Sequence, residues 1–305
     1  MNHFSISAEP FDHSALMRSV KELEDTCPLL TVRHLTHSIL DRPIPLLELG
    51  TGKRKCLYVG AHHGMEWITA ALLIRFVREL CQSAEEDRRI GKLSPATLLE
   101  THTLYIIPML NPDGVEYQIH GVTEENPLYE RLLSMNGQSQ CFSHWQANAR
   151  GVDLNHNYDA GFEEYKKLEA ESDITQGAPT RYSGPAPESE PETRALCDLI
   201  RFHNDLLGVM TLHTQGEEIY FQSGAKVPKK SNSIAKKLAD LTGYRPSTAE
   251  GLASYGGLTD WCVQKLDLPA FTLECGRGEN PLPYSMAASI YVDLRQALFT
   301  FPTLL

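Results

Sequence analysis

Apolar residues recur along this chain in two periods, and the alternation between them gives an outline of the fold. From Glu66 to Leu80, Trp67, Ala70, Leu73, Ile74 and Val77 fall on one face while Arg75, Arg78 and Glu79 fall elsewhere, which predicts an amphipathic helix. Leu16, Val20 and Leu23 predict a shorter helix over residues 14–25. Helical spacing is also expected over 188–203, 231–242 and 285–298. Continuous apolar runs mark buried strands: "TLYIIPML" at 103–110, "LLGVMTLH" at 206–213 and "AFTLE" at 270–274. Residues 44–49 and 56–60 flank the turn-rich "GTGKRK", a candidate hairpin, and "NPDG" at 111–114 reads as a turn. Strands alternating with helices predict an α/β/α sandwich around a mixed, mostly parallel sheet. Residues 115–150 and 160–187 lack either period and read as long irregular loops, the kind that carry function in a compact domain.

Composition narrows the picture. The chain has 305 residues, 42% of them hydrophobic and 22% charged, with no internal repeat and no composition break, so one domain over 1–305 is expected. A net charge of −11 argues against nucleic acid, because polyanion binding needs clustered Lys and Arg. The densest basic stretch, "KVPKK" at 226–230, reads as a solvated loop. No apolar leader opens the sequence and no apolar stretch reaches membrane-spanning length, so a cytoplasmic protein without membrane association is expected. Seven scattered cysteines without C-x-x-C pairs read as thiols in a reducing compartment, not a disulfide framework.

Candidate chemistry sits where strands end. The stretch "YVGAHHGMEWITAALLIRF" at 58–76 puts His62, His63 and Glu66 at a strand-to-helix junction, and two further strands end at His213 and Glu274. Ligands of open α/β sheets bind beyond the carboxyl ends of the strands, so these positions can converge. Catalytic zinc takes three protein ligands from His, Asp or Glu and keeps a position open. His63-x-x-Glu66 can supply two and His213 the third, with Glu274 as a carboxylate beside the ion. Each residue alone is equally compatible with a hydrogen-bonded turn. The HExxH and HxxEH patterns of other zinc peptidases are absent.

Six ordered motifs decide between these readings: "HHGMEWI" (62–68), "GVDLNHNYDAGF" (151–162), "YSGPAPESEPET" (182–193), "TLHTQGEEIYF" (211–221), "SYGGLTDW" (254–261) and "FTLECGRGENPLP" (271–283). In order and context they resemble the zinc metallocarboxypeptidase superfamily (M14-type) over roughly residues 15–300. "WQANARGVDLN", "HTQGEEIYF" and "GENPLP" are most similar to its γ-D-glutamyl-L-diamino acid endopeptidase I group, which cuts peptidoglycan stem peptides. The resemblance implies one zinc ion on His63, Glu66 and His213, Glu274 as general base, and Asn155 holding a substrate carboxylate. His62 is then structural.

The departures from the family pattern are specific. His156 stands where carboxypeptidases carry the arginine that grips a C-terminal carboxylate, and an imidazole cannot make the guanidinium fork. Gln146 follows Trp145 in place of the oxyanion arginine, which leaves Arg150 as the candidate substitute. Leu252 occupies the position of the flap tyrosine, with Tyr255 three residues later as a displaced equivalent. Thr259 falls where side-chain preference is set, Met65 replaces a further arginine, and Arg277 could meet a substrate anion. The expected activity is hydrolysis of γ-D-glutamyl-diamino acid bonds in small peptidoglycan-type peptides. A conventional carboxypeptidase and a zinc-binding recognition protein without turnover are the alternatives.

Overall fold

The computed structural model describes residues 10–174 and 176–305. The chain enters through α1 (His13–Thr26), capped by Asp12, whose carboxylate accepts from the Ala15 N–H at 2.7 Å. Strands β1 (Leu30–His37), β2 (Pro43–Leu49) and β3 (Arg54–Val59) follow, then α2 (Ile68–Glu85), α3 (Pro95–Thr101) and β4 (His102–Ile107). Next come α4 (Pro112–His120), α5 (Tyr129–Met135), α6 (Phe162–Glu171) and α7 (Pro191–Phe202). Strands β5 (Leu206–His213) and β6 (Glu218–Tyr220) lead to α8 (Ser231–Thr242), and the two-residue β7 (Arg245–Pro246) to α9 (Leu258–Leu266). Strand β8 (Ala270–Glu274) and α10 (Ala287–Leu304) complete the chain.

The eight strands form one mixed sheet in the order β1-β2-β4-β3-β5-β8-β6-β7. Its centre, β4-β3-β5-β8, is parallel, and antiparallel pairs (β1 with β2, β2 with β4, β6 with β8) occur toward the edges. Side chains alternate across the pleat. Cys56 and Tyr58 of β3 pack into one apolar layer with α1, α2, α8 and α10, while Leu57 and Val59 pack into another with α7 and α9. The α/β/α sandwich expected from the alternation of periods is the fold observed.

Four sequence expectations need correction. Residues 44–49 and 56–60 do not form a hairpin: β4 lies between β2 and β3, and the antiparallel partner of β2 on its other side is β1. The glycines of "GTGKRK" admit the α3–β4 junction instead of closing a turn, since a Cβ on Gly52 would lie 1.8 Å from the Thr101 carbonyl carbon. "NPDG" opens α4, because Asn111 caps the Gly114 N–H at 2.9 Å and Pro112 occupies the first helical turn. The two segments read as irregular contain most of α4 and all of α5 and α6, and Tyr117, Leu132, Phe142 and Trp145 form a small apolar cluster of their own. Cys27 and Cys81 are joined in a disulfide, with Cα atoms 5.9 Å apart, because α1 packs on α2; 54 residues of separation hide that proximity in the sequence. Among the described residues no helix is long and apolar enough to cross a membrane.

One buried acid links the fold to pH. Glu192, in the first turn of α7, is fully buried beside Glu190, and its Oε1 has no hydrogen-bond partner among the described residues. Burial, reinforced by the charge of Glu190, raises its pKa from 4.5 to about 8. The folded state therefore keeps a proton that the unfolded chain releases above 4.5, so this residue costs stability increasingly as pH rises from 4.5 to about 8. Glu192→Gln is expected to flatten that decline. Urea denaturation at pH 5 and pH 8 checks it: the variant should gain on the wild type at the higher pH and not at the lower.

Candidate active site

Register puts the reactive residues side by side. In the parallel pair β5–β8, His213 is opposite Glu274, and both are the last residues of their strands. Strand β3 ends beside Thr211, and the chain turns there through His62 and His63 into a single 3-10 turn, Gly64–Glu66, ahead of α2. The predicted helix thus begins at Ile68, and Glu66 sits in the turn that precedes it. Asn111 pins that turn: its Nδ2 donates to the carbonyls of His62 and Gln146, each at 3.0 Å. Gly64 is needed for the close approach, since a Cβ there would lie 2.4 Å from the Gly114 carbonyl oxygen.

Ligand atoms of His63, Glu66 and His213 all lie within 4.8 Å of one another. Glu66 Oε1 is 2.9 Å from His63 Nδ1, and Glu66 Oε2 is 3.0 Å from His213 Nδ1. A tetrahedral zinc with bonds of about 2.0–2.1 Å separates its ligands by about 3.3 Å, so this donor set fits the ion. Two buried atoms strengthen the fit: among the described residues His213 Nε2 has no hydrogen-bond partner, and Glu66 Oε2 has none apart from its ion-pair contact with His213. Burial opposes ionisation of Glu66, yet the charges of His63 and His213 outweigh it and hold the carboxyl down at about 2. Burial would likewise lower His63, but Glu66 and Asp153 outweigh it and raise the imidazole well above its usual range.

Asp153 is the residue that motif reading passed over. Its Oδ1 meets His63 Nε2 at 3.0 Å and accepts from the Asn155 N–H at 3.1 Å, while Oδ2 accepts from the Arg181 N–H at 3.1 Å. Such a carboxylate fixes the tautomer and orientation of a metal-ligating histidine. His62 has a structural environment: it is buried, shares a hydrogen bond with the Tyr158 hydroxyl at 3.0 Å, and is held neutral by burial and by its histidine neighbours.

Glu274 is half-buried, and burial together with the negative charge of Glu66 raises its carboxyl well above the ordinary range. Asn155 accepts from the Leu258 N–H at 3.2 Å, and its amide nitrogen has no protein partner among the described residues. His156 is 8% exposed and stacked on Tyr165 at 4.0 Å, and its Nδ1–H donates to the Tyr255 carbonyl at 2.9 Å. Burial lowers its pKa, so the ring is neutral. The Tyr255 ring covers Gly161, where a Cβ would lie 2.5 Å from it. Thr259 is buried and bonded to Thr272 at 2.8 Å. Gln146 is bound through its side chain to the Thr180 hydroxyl. The two cations singled out from sequence each face a carboxylate. Arg277 is bonded to Glu217 at 2.6 Å, and the Arg150 guanidinium faces the buried Glu190 at 3.8 Å. Asp153→Ala is expected to weaken zinc binding about 10- to 100-fold while leaving the three ligands in place; competition against a chromogenic chelator measures it.

Residues 16–294 match the profile of the Peptidase_M14 zinc carboxypeptidase family. The γ-D-glutamyl-L-diamino acid endopeptidase 1 of Lysinibacillus sphaericus is 35% identical over 283 residues, spanning 93% of this chain and 70% of that protein. Bovine thrombin-activatable fibrinolysis inhibitor, solved with a tick carboxypeptidase inhibitor, superposes with a TM-score of 0.66 at 19% identity, covering 96% of this chain and 93% of that one. Murein-tripeptide amidase MpaA of Escherichia coli O157 gives 0.55 at 23% identity, covering 88% and 91%. With the match running through nearly the whole fold and the donor set in place, the chain belongs to the zinc carboxypeptidase family and is a zinc-dependent hydrolase.

Proposed function

We propose that this hydrolase cleaves the amide between D-glutamate, linked through its γ-carboxyl, and a diamino acid in small peptidoglycan-derived peptides. The observation that carries the reading is His156. A neutral, stacked imidazole with its Nδ1 already engaged replaces the guanidinium that would grip a C-terminal carboxylate, so strong exopeptidase-type capture is missing. The 35% identity to an endopeptidase named for that bond supports the same substrate class.

In the proposed mechanism His63, Glu66 and His213 hold the ion, and Asp153 keeps the His63 ring in its ligating orientation. Zinc, when bound, supplies Lewis-acid polarisation of the scissile carbonyl and makes a water more acidic. Glu274 is the base: it takes the proton of the attacking water and later delivers it to the leaving amine. Its apolar, anionic surroundings raise its proton affinity, which favours both the capture and the retention of that proton until the amine departs. Asn155 offers its free amide nitrogen to a substrate carboxylate. The buried Thr259, already bonded to Thr272, leaves this wall of the site small and uncharged.

Two measurements test the reading. Glu274→Gln is expected to retain zinc and thermal stability while losing kcat by several orders of magnitude; near-wild-type turnover would remove Glu274 from the role. Mass spectrometry of products from L-Ala-γ-D-Glu-diaminopimelate, beside an acylated α-linked peptide, is expected to show free diaminopimelate from the first only. Cleavage of the second alone would make the enzyme a conventional carboxypeptidase.

A further inference from the structure

The cations around the cleft differ in what already holds them. Arg277 is bonded to Glu217, Arg150 faces Glu190, and Lys166 bonds Glu169 at 3.0 Å while lying over the Tyr182 ring. Arg181 is different. Its side chain is exposed, and the guanidinium makes no hydrogen bond or ion pair among the described residues. Its main chain, by contrast, is fixed on both sides: the N–H donates to Asp153 Oδ2 at 3.1 Å, and the carbonyl accepts from the Tyr165 hydroxyl at 3.0 Å. Since Asp153 also holds His63 at 3.0 Å, the Arg181 backbone is one carboxylate and one imidazole removed from the metal position. Its φ of +68° is a left-handed conformation that arginine seldom adopts, and such strain persists where buried partners impose it.

The charge of Arg181 acts on the two stacked rings next to it, favouring neutral His156 and opposing the burial that raises Tyr165. Tyr165, whose hydroxyl donates to the Arg181 carbonyl, is stacked on His156 at 4.0 Å, so residue 181 lies one ring away from the position where the family arginine has become His156. A γ-linked D-glutamyl residue also keeps its α-carboxylate free, on the acyl side of the scissile amide and three carbons from its carbonyl. Asn155 serves a carboxylate on the leaving side, and the additional anion calls for an additional cation. The geometry points to Arg181 as the specificity-determining residue that pairs with the free α-carboxylate of the γ-linked D-glutamyl residue. The assignment rests on the proposed γ-D-glutamyl substrate. A guanidinium is suited to it, because its planar fork binds a carboxylate through two parallel hydrogen bonds.

The test uses two tripeptides that differ in one group: L-Ala-γ-D-Glu-diaminopimelate and the counterpart with the glutamyl α-carboxylate converted to a carboxamide. Wild-type enzyme is expected to favour the carboxylate about 10- to 100-fold in kcat/KM, mainly through KM, the range of a charge-assisted contact. Arg181→Gln should bring the carboxylate peptide down to the level of the carboxamide and leave the carboxamide unchanged. Arg181→Lys should recover part of the preference. Zinc content and Tm should not move, because Asp153 and Tyr165 hold the main chain of residue 181 and not its side chain. Equal losses on both peptides in Arg181→Gln, or a wild type indifferent to the carboxylate, would overturn the assignment while leaving γ-D-glutamyl cleavage standing. Failure of the wild type to cut either peptide would overturn both.

Discussion

The site depends on the parallel register of three central strands. Pairing of His213 with Glu274, and of Val59 with Thr211, ends β3, β5 and β8 at one edge of the sheet. A one-residue slip in β5 would turn His213 to the opposite face, because side chains alternate along a strand. That register is fixed by burial on both sides: Leu57, Val59 and Val209 pack under α7 and α9, while Tyr58, Met210 and Leu212 pack under α2 and α10. The hydrophobic core thus sets the position of the metal ligands, and the polar residues at the strand ends occupy the place it leaves them.

Register alone does not orient an imidazole. That task falls to groups from the segments that follow the strands. Asn111 binds the His62 carbonyl and that of Gln146, which also accepts from the Gly64 N–H, and Asp153 holds His63 from the far side of its ring. The electrostatics have the same layered form. Buried carboxylates stabilise His63 as a cation in the absence of metal, and that cation in turn holds Glu66 ionised. A divalent ion can replace the proton without changing the sign of the balance, as expected where metal binding and proton release are linked.

How much of this was legible in the sequence varies with the range of the interactions. The spans of β5, β8 and α8 follow from local periodicity and were read to the residue. So were the strand-end positions of His213 and Glu274, and the H-x-x-E spacing of His63 and Glu66. Strand β1 was not visible, because "LTVRHLTH" is half-exposed, irregular at His34–Thr36 and rich in polar residues. The placement of β4 between β2 and β3 was hidden because a parallel crossover leaves no local mark, whereas the nearby glycines imitate a hairpin. Asp153 lay in a quoted motif, yet nothing in its spacing told a carboxylate that holds a histidine from a loop residue. Arg181 was missed for a similar reason: its interest lies in a lack of partners, which only the folded chain shows.

Charge brings the fold and the substrate together. The chain carries a net charge of −11, and Glu66, Asp153 and Glu274 line the site itself, an unfavourable setting for a peptide with several carboxylates. Charges more than about 8–10 Å away are screened at ordinary ionic strength, so the remote surface neither attracts nor repels such a ligand strongly. What decides binding is the local sum. Neutral His156 adds nothing to it, while Arg150 and Arg277 are largely offset by Glu190 and Glu217. Zinc supplies positive charge at the scissile bond, and the Arg181 guanidinium, unpaired among the described residues, is the cation proposed to meet the substrate's further carboxylate. A site of this kind selects for a free carboxylate on the acyl side of the reacting amide; both linkage isomers of glutamate carry one three carbons from the scissile carbonyl, and they differ in whether the peptide nitrogen sits beside that carbonyl or beside the carboxylate.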